Sequence, residues 1–297
     1  MSSQHTFGGS WTEEKLERVQ RYMVEYMKIF SRNVYARSYV TNYVDAFAGT
    51  GSRSARRAET GTLALFDEQD LADMQAFYRG STRRALEVEP PFGRYLFIEQ
   101  NPEFVAELER LRAEYPHLSH RITIRQGDAN LLLREWCRST DWGSNRALVF
   151  LDPYGMSVDW STIQTLAHTE AVDLWILLPV GSAINRLLPR QGPPTGAWAD
   201  SLTRIFGTDA WKSAFYRPSP QMSFLEDLDP GYEKVADFHG IGEFFVERLK
   251  TEFVGVAEDF LMLYNSKNNP IFMLFFAASN KRGAPTALKI AGYILRK

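Results

Sequence analysis

Four short stretches carry the residue types that chemistry needs. Asp45 lies in Tyr43-Val44-Asp45-Ala46-Phe47-Ala48-Gly49-Thr50-Gly51, Glu99 closes Phe97-Ile98-Glu99, Asp128 sits in Gln126-Gly127-Asp128-Ala129-Asn130, and Asp152 opens Asp152-Pro153-Tyr154-Gly155. Gly49 and Gly51 have no Cβ, so the backbone of that turn can approach a ligand and take positive φ. A carboxylate at a strand end, as at Glu99, can accept hydrogen bonds from both hydroxyls of a ribose. Asp128 can accept from the exocyclic amine of a purine. Asp152 and the carbonyl of Pro153 can accept the hydrogens of an amine, aim its lone pair at an electrophile and stabilise the charge that grows on nitrogen. Proline fixes φ there while its carbonyl remains an acceptor, and Tyr154 offers a ring to stack on an extruded planar base. Each stretch alone has a plainer reading. A G-x-G turn fits an ordinary strand connection, a lone terminal Glu a solvated cap, and Asp-Pro-Tyr-Gly a turn.

The elements that must position these groups are short apolar runs. Tyr39 to Phe47, Arg94 to Glu99 and Ala147 to Asp152 lack polar alternation and end at or near an acidic residue. Such runs suit strands buried on both faces, hence a parallel sheet covered by helices. Further strands are expected at Ile122 to Arg125, Val172 to Leu178 and Pro270 to Ser279. Helical spacing over Pro102 to Tyr115 and Trp160 to His168 separates them, so the fold class is α/β, doubly wound and mostly parallel. In such a sheet the four stretches all reach the crevice at the carboxyl edge, where open α/β sheets bind ligands. Gly283 and Pro285 follow the last strand as turn signals before Thr286 to Leu295, which predicts a closing antiparallel hairpin. An amphipathic helix over Thr12 to Phe30 starts at an N-cap Thr12. Two additions interrupt the alternation, about 52–93 and about 187–255, the second with helices at Ala197 to Phe206, Asp209 to Tyr216 and Gly242 to Phe253. They suit substrate binding and structural cover equally.

The ordered motifs resemble those of class I S-adenosylmethionine-dependent methyltransferases, and Asp152-Pro153-Tyr154 is similar to the Asp/Asn-Pro-Pro-Tyr/Phe motif of the amino-methylating nucleic-acid enzymes. The whole chain resembles the three-Cys-motif partner proteins (TcmP) more closely still. That resemblance rests on Phe7-Gly-Gly-x-Trp11-Thr-x-x-Lys15-Leu16, Asp45-Ala-Phe-Ala-Gly-Thr-Gly51, Phe97-Ile-Glu99, Gly127-Asp-Ala-Asn130 and Phe150-Leu-Asp-Pro-Tyr-Gly155. It implies a single Rossmann-like methyltransferase domain over 1–297 with a closing antiparallel strand and helical insertions. It also implies S-adenosylmethionine as cofactor. Gly49 and Gly51 would hold its methionine part, Asp45 its amino group, Glu99 the ribose and Asp128 the adenine amine, with Phe47, Asn101 and Ala129 bordering them. Asp152, Pro153 and Tyr154 would face the methyl acceptor, an exocyclic amine of a nucleic acid. Tyr154 stands where the amino-methylating enzymes carry a second proline. The implied partner is a protein with three cysteines encoded nearby, and the alternative function is a cofactor-binding subunit of that partner without turnover of its own.

Composition sets the outer bounds. The chain has 297 residues, 34 Lys plus Arg against 36 Asp plus Glu, and 44% hydrophobic residues. These values exclude a disordered or collagen-like chain and leave no global pull toward nucleic acid, which would need a local basic patch. Arg53, Arg56 and Arg57 after the glycine turn and Arg79, Arg83 and Arg84 beyond it are candidates for phosphate contacts, and equally for solvated side chains. Lys15, on a helix face near the start, is a candidate for substrate binding, with an ordinary docking helix the favoured reading. Without an apolar run long enough for a membrane span, the chain is expected in the cytoplasm. Cys137 is the only cysteine and is expected to be a buried, inert thiol. The histidines have no metal-like spacing, so no metal site is expected. Oligomeric state is left open. An NAD-type turn is disfavoured because Ser54 stands where G-x-G-x-x-G needs its third glycine.

Overall fold

The structure, a computed structural model, describes residues 10–48, 80–153, 156–219, 231–265 and 267–296. Its strands are β1 (Val40–Asp45), β2 (Arg94–Glu99), β3 (Ile122–Gln126), β4 (Asn145–Leu151), β5 (Val172–Leu178), β6 (Tyr216–Pro218), β7 (Tyr232–Lys234), β8 (Gly255–Val256), β9 (Leu261–Tyr264) and β10 (Pro270–Ala278). Its helices are α1 (Ser10–Arg32), α2 (80–86), α3 (Pro102–Glu114), α4 (Ala129–Ser139), α5 (Trp160–Ala167), α6 (Asn185–Leu187), α7 (Ala197–Phe206), α8 (Trp211–Phe215), α9 (Phe238–Lys250) and α10 (Ala284–Arg296). The main sheet runs β3-β2-β1-β4-β5-β10-β8, with β9 also paired to β10. Strands β1 to β5 are parallel, and β10 returns antiparallel to β5. Because β8 pairs with Ala277 and Ala278 while β9 pairs with Pro270 to Leu274, the two share the outer edge of β10. This is the doubly wound, mostly parallel α/β sheet with a closing antiparallel strand that the sequence leads one to expect.

The apolar runs explain the layering. Successive strand side chains point to opposite faces, so a strand that is apolar at every position must be covered twice. Val44, Val149, Leu151, Leu174 and Ile176 pack into one cluster with α4, α5, α7, α8 and α9. Tyr43, Leu148, Phe150, Trp175 and Leu177 pack into the other with α1, α3 and α10. On that second face Tyr22 of α1 lies edge-on to Trp175 at 5.4 Å between ring centroids and 4.9 Å from Phe276. Cys137 is buried within the first cluster, and burial pushes its thiol up to about 12.

Three local expectations need correction. The hairpin after β10 does not form, since Thr286 to Leu295 belongs to α10, which buries Ala287, Ala291, Ile294 and Leu295 at helical spacing. The antiparallel partner precedes β10 and is β9. Thr12 is inside a helix that already runs at Ser10, and α4 follows β3 where no helix was expected. The stretch 187–255 contributes Leu202, Phe206, Trp211, Phe215 and Phe245 to the first cluster, so its helices extend one covering layer. No helix among the described residues is long and apolar enough to cross a membrane.

The β5 to β10 junction tolerates no side chain at one position. Gly181 lies in the π-helical turn Val180–Ile184, and a Cβ there would stand 1.7 Å from the carbonyl oxygen of Pro270. The obstacle is backbone and cannot rotate away. Gly181→Ala is expected to lower stability by about 3 kcal/mol in urea unfolding; stability equal to wild type would show that the two backbones have slack.

Candidate active site

Strand register brings three carboxylates onto one face. Asp45 ends β1 and is paired in register with Phe97 of β2 and Phe150 of β4. Glu99 and Asp152 each lie two residues beyond those partners, so the two-residue period of a strand sends all three side chains to the side of Phe97 and Phe150. All three are buried, Asp45 completely. The chain leaves β1 between its neighbours, with the amide of Ala46 donating to the Phe150 carbonyl and that of Ala48 to the Ile98 carbonyl. Phe47 is half-buried at this exit and packs against the first apolar cluster.

Asp45 is held there at an electrostatic cost. Its Oδ2 accepts from the Ser81 hydroxyl of α2 at 2.8 Å. Burial pushes its carboxyl up to about 7; repulsion from Asp152 and Glu99 adds to this, while hydrogen bonds from Ser81 and the Phe47 amide oppose it. Its Oδ1 is buried without a hydrogen-bond partner, and so is the hydroxyl of Tyr43, whose ionisation is resisted by burial and by the charges of Asp45 and Asp152. Orphaned polar atoms in a buried site are unusual enough to require an explanation, and a ligand is one.

The neighbouring strand ends add a second edge. An Oε1 of Glu99 accepts from the Asn101 amide at 2.5 Å. Asn101 caps α3 by accepting from the Glu103 amide, and its own Nδ2 is buried without a partner. The amide of Gly127 donates to the Glu99 carbonyl at 3.0 Å. Gly127 takes φ of 153°, which glycine tolerates and other residues rarely adopt. This turn delivers Asp128, exposed, to the N-cap of α4, where Oδ1 accepts from the Leu131 amide at 2.8 Å, and Ala129, buried, to the first helical position. Pro153 is buried directly after Asp152.

Asn130 acts in a way its motif does not show. Its Nδ2 donates to the Ser157 carbonyl at 2.7 Å, and its Oδ1 accepts from the Asp159 amide and the Thr162 hydroxyl, each at 2.9 Å. One amide thereby fixes the chain that returns from Asp152 and Pro153 into α5. Ser81 joins the site without any sequence motif, because only the tertiary fold sets it beside Asp45, whereas Tyr43 shares the face of Asp45 through the two-residue period of β1. Gly49, Gly51, Arg53, Arg56, Arg57, Tyr154 and the side chain of Lys15 lie outside the described residues, as does Arg79. Arg83 is committed to Glu114 at 2.7 Å and Arg84 to Gln20 at 2.9 Å, contacts between helices rather than a phosphate site. Among the described residues no group of His, Cys, Asp and Glu could hold a metal ion.

No family model matches the chain, and no curated protein does. Among solved structures, the chain is similar to LPL1258 of Legionella pneumophila, a protein of family DUF519. The identity is 12%, coverage 98% of this chain and 92% of that one, and the TM-score 0.44. It is also similar to a candidate O-methyltransferase from Klebsiella pneumoniae, at 14% identity over 92% of both chains with a TM-score of 0.39. A third likeness is to yhhF of Escherichia coli, described as a candidate methyltransferase, at 11% identity over 88% of this chain and 87% of that one, TM-score 0.31.

Two measurements follow from the geometry. Asp45 is raised in the folded protein, so the folded state pays for its ionisation above pH 7 and is relieved as pH falls from 7 toward the unfolded value near 4. Asp45→Asn is therefore expected to stabilise the protein at pH 8 by on the order of 2–4 kcal/mol, a gain that fades toward pH 4 in thermal unfolding. A gain independent of pH would contradict the buried carboxylate. Asn130→Leu leaves one carbonyl, one amide and one hydroxyl without partners, and is expected to cost about 2–4 kcal/mol in the same assay.

Proposed function

We propose that the chain is an S-adenosylmethionine-dependent methyltransferase of the three-Cys-motif partner type, acting on an exocyclic amine of a nucleic acid. The observation that carries this reading is the set of buried carboxylates from β1, β2 and β4 on one face of the carboxyl rim, with unpartnered polar atoms on Asp45 and Asn101. Clustered buried anions are costly on their own, and a bound cation offsets that cost. The cofactor fits such a site, because it carries positive charge at its sulfonium and its amino group, and when bound it supplies an electrophilic methyl.

Each residue then has a task of its own. Asp45 accepts from the amino group through the oxygen that has no partner, and Ser81 holds the other oxygen still. Glu99 accepts from ribose hydroxyls. Asn101 borders the adenosine, toward which its unpartnered Nδ2 can donate. Asp128 spends one oxygen on the α4 cap and keeps the other for the adenine amine. Asp152 and the Pro153 carbonyl orient the acceptor amine, and their burial strengthens the interaction with charge developing on nitrogen. Asn130 keeps the segment after them in place, which matters because positioning supplies much of the acceleration in such a transfer.

Calorimetric titration with S-adenosylmethionine and with NAD, followed by transfer of labelled methyl into RNA and DNA, tests the reading. Binding of the first alone and label in nucleic acid are expected. Asp152→Ala is expected to cut transfer by about 10²–10³-fold while cofactor affinity stays within a few-fold of wild type. NAD binding, or transfer unchanged in that variant, would overturn the assignment; cofactor binding without transfer to any nucleic acid would favour the subunit role over the enzyme.

A further inference from the structure

A cavity of about 850 Å³ opens at the opposite rim of the sheet. It lies between the second half of α1, the 33–39 connection, the starts of β4 and β5 and the start of α10. Its floor includes Arg146 and Asp173, the second residues of their strands. From Arg146 to Asp152 the chain advances by roughly 20 Å at the rise of a strand, so this cavity is separate from the carboxylate rim. Its size suits one small organic ligand.

Three observations define what would bind. First, Tyr26 lines the wall at 3% exposure, and its hydroxyl is buried without a hydrogen-bond partner. Second, Asp173 accepts from the Tyr22 hydroxyl at 2.6 Å through Oδ2, and its other oxygen makes no hydrogen bond among the described residues. Tyr26 and Asp173 line the same cavity and the charge of Asp173 acts on the Tyr26 hydroxyl, so a buried donor and an available acceptor lie near one another there. Third, the mouth is cationic. Lys28 is paired with Glu25 at 2.6 Å, whereas Arg32 and Arg282 have no acidic partner among the described residues. Phe30 and Tyr39 supply aromatic surface between the two ends, and the Arg146 guanidinium stacks over the Tyr39 ring at 3.8 Å.

We infer that this cavity binds a nucleoside monophosphate unit, with the base edge at Tyr26 and Asp173, the base plane along the aromatic wall and the phosphate at Arg32 and Arg282. A donor and an acceptor near one another match the edge of a nucleobase, which carries both. An aromatic carboxylate lacks the donor that Asp173 would receive, and inorganic phosphate would use only the mouth. The unit comes from a free nucleotide or from a nucleic-acid strand. Tyr39 also borders a second depression lined by Arg94, His120 and Arg121, along which a strand could continue. The inference does not depend on the cofactor reading above, because it uses none of those residues.

The test is calorimetry on the full chain with AMP, GMP, CMP, UMP, inorganic phosphate and a five-nucleotide single strand. At least one monophosphate is expected to bind about tenfold or more tightly than inorganic phosphate. Tyr26→Phe should weaken that binding by several-fold to tenfold without lowering the unfolding temperature, since the hydroxyl has no partner to lose. Arg282→Ala should weaken binding and flatten its salt dependence. Asp45→Asn should bind nucleotide as wild type does, which separates this cavity from the carboxylate rim. A single strand that binds more tightly than any monophosphate, with the Tyr26→Phe loss retained, identifies nucleic acid as the source; weaker strand binding identifies the free nucleotide. If no monophosphate and no strand exceeds inorganic phosphate, or if Tyr26→Phe and Arg282→Ala both bind like wild type, the inference is wrong.

Discussion

A carboxylate held out of water at the end of the central strand is the constraint around which this protein is arranged. Ionised Asp45 is unfavourable where it lies, chiefly because it is buried, and the Ser81 hydroxyl and the Phe47 amide ease it. Parallel pairing makes the position harsher. β2 and β4 flank β1 in the same direction, so their own acidic ends arrive at the same rim and on the same face. An antiparallel neighbour would have carried its carboxylate to the far end of the sheet.

The same pairing dictates the cover. Strands apolar at every position need helices above and below, and those helices put caps, turns and short connections at the rim where the acids emerge. Asn101 and Asp128 are caps of this kind, each spending one oxygen on its helix. Asn130, the second residue of α4, reaches across to the segment behind Asp152 and Pro153. Local helix-forming chemistry and the organisation of the site are thus carried by the same few residues.

The legible parts of the fold were those whose signal is local. Arg94–Glu99 is an apolar run closed by a charge at each end and Val172–Leu178 is apolar at every position but Asp173, and both strands occupy those limits. Ala197–Phe206 ends at Gly207, whose φ of 67° closes the helix in the way a glycine stop implies. Thr286 to Leu295 misled because Gly283 and Pro285 resemble a hairpin turn, although proline near a helix start and the Ala287, Ala291, Ile294 spacing favour the helix that forms. At the site, the acidic strand ends could be read from the sequence. The Ser81 hydroxyl and the three-way bond of Asn130 could not, because each depends on residues distant in sequence being folded against one another.

The contact between the first and last helices has a bearing on biogenesis. α1 and α10 lie side by side on the second apolar face, where the Arg18 guanidinium donates to the Ile294 carbonyl. β10 is inserted between β5 and β8, so the β5 side of the sheet itself waits for a late segment. A chain emerging from the ribosome cannot complete the second layer until α10 is out of the exit tunnel, which leaves that face of the early strands with uncovered apolar surface during synthesis. Such a protein gains little from stepwise cotranslational folding and much from a chaperone that shields its amino-terminal half.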